Sequence, residues 1–105
     1  MTIAELTEIA VEKIRASVKN PLRIVLFGSA ARGEMGPNSD MDILVVVPAG
    51  AHRRKTAQQI YRNTVDIGFA IDVVVVTTED VKQYRNHPGM IIGSALAEGR
   101  DLYVS

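Results

Sequence analysis

Residues 22–47 read LRIVLFGSAARGEMGPNSDMDILVVV. Two apolar runs, 22–27 and 41–47, flank a segment of small and turn-forming residues. Both runs are short and rich in Ile, Leu and Val, the composition of buried strands. The segment between them, 28–39, holds three glycines and a proline, with a short helical turn expected near residues 30–32. A loop this compact joins antiparallel neighbours more readily than parallel ones. A third run, 71–76 (IDVVVV), lies beyond a stretch at 52–66 that can form a helix. That stretch is long enough for a βαβ crossover, which makes the second and third strands parallel and the connection right-handed.

The rest of the chain supplies cover for this sheet. Thr2 and Glu5 have the spacing of a capping box. Leu6, Ile9, Ala10, Ile14 and Val18 follow at helical spacing, so 3–18 is an amphipathic helix ended by Asn20-Pro21. In the 52–66 helix, Ala57, Ile60, Tyr61 and Val65 fall near one face. Thr77 or Thr78 can cap a helix over 79–86, His87-Pro88-Gly89 breaks it, and 90–98 forms a last helix closed by Gly99. Residues 102–104 suit a short edge strand. The expected fold is α/β (α+β): a small mixed sheet of three or four strands, with helices packed mainly on one face.

Composition narrows the function classes. The 105 residues suggest one domain, 1–105. Twelve basic residues balance twelve acidic ones, which argues against holding nucleic acid by an overall positive field. There are no cysteines, so disulfides and thiolate metal sites are excluded. The N-terminal stretch interleaves acids with apolar residues, unlike a signal peptide, and no apolar run approaches the length of a membrane span. A cytoplasmic protein with no membrane association is expected.

Three carboxylates carry the chemistry. Asp40 and Asp42 stand two residues apart at the mouth of the second strand, so their side chains share a face. Neighbouring carboxylates repel unless a cation or a shared proton lies between them. Hard oxygen donors suit Mg²⁺, which also recruits phosphates. Asp72 opens the third strand, and parallel pairing brings it to the same sheet edge. Three converging acids can hold two Mg²⁺ ions for displacement at phosphorus. The alternatives are a solvated strand end for Asp40 and Asp42, and a strand-start acid or salt bridge for Asp72. Gly28 and Ser29 follow the first strand directly, where backbone and hydroxyl groups can cradle a phosphate.

The stretch from Gly28 to Asp42, Gly-Ser followed by ten residues and then Asp-x-Asp, resembles the signature of the DNA polymerase β-like nucleotidyltransferase superfamily. The wording Gly28-Ser29-Ala30-Ala31-Arg32-Gly33, the third acid Asp72 and the ending Glu98-Gly99-Arg100-Asp101-Leu102-Tyr103 resemble its minimal nucleotidyltransferase (MNT) branch. The resemblance implies ATP as donor, with Gly28 and Ser29 on the triphosphate. It implies Asp40, Asp42 and Asp72 as metal ligands, with Asp72 also helping to deprotonate an acceptor hydroxyl. It further implies an antitoxin role: addition of AMP to a tyrosine of a small, all-helical HEPN-type toxin encoded nearby. A non-catalytic docking module and a transferase acting on small molecules such as aminoglycosides are the alternatives. An oligomer is compatible with the sequence, and direct nucleic-acid binding is not expected.

Arg32 is a candidate for nucleotide contact, although pairing with an acid to pin the loop is the favoured role. The basic run His52-Arg53-Arg54-Lys55 is expected to be a solvated helix start, with partner docking the next option. His87 has no second histidine nearby. Tyr61, Tyr84 and Tyr103 are expected to be half-buried packing residues.

Overall fold

A computed structural model describes residues 2–34, 36, 40–87 and 89–105. Four strands form one sheet in the order β3-β2-β1-β4, with β1 Arg23–Phe27, β2 Met41–Val47, β3 Ile71–Thr77 and β4 Arg100–Val104. β1 lies antiparallel to both β2 and β4, while β2 and β3 are parallel. The mixed sheet expected from the loop lengths is therefore the one observed. The helices are α1 Ile3–Ser17, α2 Gly28–Ala31, α3 Arg53–Thr64, α4 Thr78–Tyr84 and α5 Ile91–Glu98. No helix among the described residues is long and apolar enough to cross a membrane.

Alternation along the strands divides the core in two. Ile24, Leu26, Ile43, Val45, Val73 and Val75 pack against Ala10 and Ile14 of α1 and Ile60 of α3. Val25, Leu44, Val46 and Val76 face the other way, against Ile92 and Ala95 of α5 and Val81 of α4. Helices mainly on one face thus describes the two long helices, α1 and α3; α4 and α5 cover part of the opposite face. Because β2 is inner and covered on both sides, residues 43–47 are all buried, and the continuous apolar run is explained.

Two details depart from the expected pattern. Val65 lies just past the end of α3 and is 83% exposed. Thr64, not Val65, is buried beside the sheet, with its hydroxyl donating to the Ile60 carbonyl at 2.8 Å. β4 begins at Arg100, two residues earlier than expected. It meets β1 through a register shift between Ile24 and Val25, and Arg23 pairs with Asp101 at 2.6 Å.

The caps follow the sequence closely. Thr2 and Glu5 bond reciprocally at the start of α1. Thr77 and Asp80 do the same for α4, where the Thr77 N–H donates to Asp80 Oδ2 at 2.9 Å. Arg53, at the start of α3, donates to the same oxygen at 3.0 Å. Beside it, His52 Nδ1 accepts the Lys55 N–H at 3.2 Å. His52 thus caps and Arg53 pairs at this end of the sheet, and all four residues of the basic run are exposed, the solvated helix start expected.

The Thr77 N–H bond, aided by the Arg53 charge, holds the Asp80 carboxyl below its usual range, although partial burial opposes the shift. A lowered folded-state pKa contributes stability above the unfolded value of about 3.9, lost as pH falls through the folded value. Asp80→Ala should therefore destabilise the protein by about 1 kcal/mol at pH 7. Urea unfolding repeated near pH 3 should show a smaller difference from the parent.

Candidate active site

The end of β1 and the beginnings of β2 and β3 meet at one edge of the sheet. Phe27 pairs with Asp42 across the antiparallel ladder, and Asp42 pairs with Asp72 across the parallel one. In-register partners project to the same face. Asp42 and Asp72 therefore share the face of Leu44, Val46, Val74 and Val76, beyond the area that α5 covers. A Met41 N–H bond to the Ala70 carbonyl at 3.0 Å fixes the two strand entries together.

Asp40 precedes β2 and is exposed; Asp42 is half-buried; Asp72 is exposed on the outer strand. Partial burial pushes the Asp42 carboxyl above its usual range. The charges of Asp72 and Asp40 push the same way, and Arg32 opposes them. The charges of Asp40 and Asp72 thus both reach Asp42. Among the described residues, however, no group of three or more acidic or histidine side chains already stands close enough to cage a metal ion.

Gly28 opens α2 with φ of +71°, a conformation that disfavours side chains. A Cβ at Gly28 would collide with Asp42 Oδ2, so the first residue of the loop lies directly against the carboxylate. The short helix at 30–32 foreseen from sequence begins two residues earlier, at Gly28 itself. Its N-cap, Phe27, provides no side-chain hydrogen bond to the first turn. The Ser29 carbonyl accepts the N–H groups of Arg32 at 3.1 Å and Glu34 at 2.8 Å, folding the loop back on itself. In the second half of the spacer, Met35, Pro37, Asn38 and Ser39 lie outside the described residues.

Arg32 is exposed and donates from Nε to Glu34 Oε2 at 3.1 Å. That is the loop-pinning pair favoured from sequence, while its charge still reaches Asp42. The tyrosines divide. Tyr84 and Tyr103 are half-buried, and Arg15 stacks 4.4 Å from the Tyr103 ring centre. Tyr61 is 41% exposed instead, and its hydroxyl lies 3.3 Å from Asp72 Oδ1. The expectation of a packing role missed this polar contact.

Two substitutions test the geometry. Asp42 titrates upward in the folded state, so folding favours its protonated form and stability falls as pH rises through its pKa. Without added metal, Asp42→Asn should raise Tm at pH 7 by roughly 1–3 °C, and the gain should shrink in acid. Differential scanning at both pH values would measure it. Gly28→Ala should destabilise by about 1–2 kcal/mol through its left-handed backbone alone. Urea midpoints should show Asp42→Ala restoring part of any further loss, because it removes the atoms that the new methyl meets.

The comparisons agree with this architecture. The family described as "Nucleotidyltransferase domain" matches residues 8–102. No curated protein matches the sequence. Among solved structures, a toxin–antitoxin structure with AMP-PNP matches with a TM-score of 0.68 and 18% identity, covering 94% of this chain and 73% of that one. A complex of the tri-AMPylated Shewanella oneidensis HEPN toxin with MNT antitoxin matches with a TM-score of 0.67 and 14% identity, covering 99% and 74%. A proposed nucleotidyltransferase from Sulfolobus solfataricus matches with a TM-score of 0.60 and 19% identity, covering 99% and 89%. At these identities the likeness to solved structures is one of fold. With the family match spanning nearly the whole chain, the protein belongs to the nucleotidyltransferase-domain family, a family of transferases.

Proposed function

We propose that this chain transfers AMP from ATP to an acceptor hydroxyl, and that the acceptor is a tyrosine of a small helical HEPN-type partner. One observation carries the reading: the pairing that sets Asp42 opposite Asp72, with Gly28 against the Asp42 carboxylate. A phosphate loop beside clustered acids suits a nucleotide accompanied by a cation. Support for the donor comes from the similar toxin–antitoxin structure with AMP-PNP. Support for the acceptor comes from the similar complex that holds a tri-AMPylated HEPN toxin. A cytoplasmic setting, with ATP at hand, goes with this role.

The donor set fits Mg²⁺. Asp40, Asp42 and Asp72 offer hard oxygens, and the Asp42 carboxyl, raised first by burial and then by the charges of Asp72 and Asp40, would gain from a nearby cation. These residues would hold two ions together with phosphate oxygens. When bound, the ions offset charge on the α-phosphate and the departing pyrophosphate. Gly28 and Ser29 bind and orient the triphosphate through backbone and hydroxyl donors. Asp72 accepts the proton of the acceptor hydroxyl, which in a free tyrosine has a pKa of about 10. The acceptor oxygen then bonds to the α-phosphorus, and the bond from that phosphorus to the bridging oxygen of pyrophosphate breaks. Arg32, held by Glu34, contributes positive charge beside the loop.

Intact-mass spectrometry of a co-encoded HEPN-type protein, incubated with this chain, ATP and Mg²⁺, tests the proposal. AMP-sized mass steps are expected, and they should disappear when Asp40 and Asp42 are both changed to Asn. A partner that stays unmodified yet co-purifies tightly would overturn the transfer reading for that partner and identify a docking module.

A further inference from the structure

The Tyr61 contact has no part in the chemistry above, yet it ends on one of the three acids. Tyr61 sits on α3, whose neighbouring residue Ile60 is fully buried against the sheet. From there its hydroxyl reaches the outer edge of β3, the last strand of the sheet. It accepts the Val73 N–H at 2.8 Å and lies 3.3 Å from Asp72 Oδ1. On an edge strand, this N–H has no ladder partner and takes a side chain or water instead.

The two contacts fix the direction of the hydroxyl proton. A phenol has one proton to donate, and an ionised carboxylate can only accept. With the Val73 N–H bonded to the oxygen, the proton is left for Asp72. At 3.3 Å the bond is longer than the usual ~2.7–2.8 Å for O–H···O, so it orients the carboxylate more than it anchors it. Asp72 is exposed and opposite Asp42, whose charge would otherwise help turn it toward solvent.

We propose that Tyr61 is the positioning residue of the third carboxylate. Its bond to Oδ1 would leave Oδ2 free to ligate a cation. The inference rests on the nucleotidyl-transfer reading. Partners that orient a ligating carboxylate govern metal affinity because they remove the need to freeze its rotamer on binding.

Mn²⁺ binding, followed by electron paramagnetic resonance of the free ion with the full chain and AMP-PNP, is the test. Tyr61→Phe keeps the ring and removes the hydroxyl; Val73 can then bond to water. The variant should weaken Mn²⁺ binding by about 3–10-fold, at or below the ~10-fold lower end expected for such partners because the bond is long. Asp72→Asn should weaken binding at least as much, and adding Tyr61→Phe to it should cause no further loss. A general disturbance of the fold would persist in the Asp72→Asn background, so equal losses in both backgrounds would overturn the proposal. Parent-like Mn²⁺ affinity in Tyr61→Phe would also overturn it while leaving the transfer reading intact. Absence of Mn²⁺ binding by the parent chain would instead remove the metal-dependent reading, and this inference with it.

Discussion

Parallel pairing between β2 and β3 is the constraint on which the rest of the molecule depends. Seven residues of each strand are aligned, from Met41 opposite Ile71 to Val47 opposite Thr77. Side chains alternate along a strand, so a slip of one residue would send Asp42 and Asp72 to opposite faces. The slip is opposed from both sides. Ile43, Val45, Val73 and Val75 belong beneath α1 and α3, while Leu44, Val46 and Val76 belong with α4 and α5. Apolar burial at the middle of the strands thereby sets the positions of charged groups at their ends.

The antiparallel strand β1 adds the second half of the site. Its last residue pairs with Asp42, and the chain turns at once into Gly28 with positive φ. The loop can approach the carboxylate so closely only because no Cβ intervenes. The result is locally unfavourable: a half-buried carboxyl whose ionisation is opposed by burial and by two like charges. Such an arrangement lowers stability in the absence of a counterion, and it is the kind of compromise that functional sites retain. At the other end of β2 and β3 the charges are arranged oppositely. Asp80 receives the Thr77 N–H and the Arg53 guanidinium, so ionisation there supports the fold.

Position in the sheet also explains why the tyrosines differ. Tyr103 lies on β4 and Tyr84 at the end of α4, and each packs beside a hydrophobic cluster. Tyr61 is next to a buried residue on its helix, but the edge of β3 gives its hydroxyl an open backbone N–H to meet. The edge strand that closes the sheet therefore also connects the crossover helix to Asp72.

Much of this was legible in the chain itself. Short Val- and Ile-rich runs, turn residues and capping pairs depend on neighbours a few positions away, so the sequence indicates the strands, the Thr2 and Thr77 caps and the stop at Gly99. The length of the crossover likewise implied parallel pairing, and the Gly-Ser and Asp-x-Asp spacing singled out the loop and the acids. Other features depend on residues distant in sequence. Placement of α4 and α5 on the second face, burial of Thr64 in place of Val65, and the β1–β4 register shift follow from how the elements dock. The meeting of Tyr61 with Asp72 requires that α3 cross beside an edge strand whose Val73 N–H points outward. No local pattern encodes that contact, because it arises only when the helix and the strand share three-dimensional space.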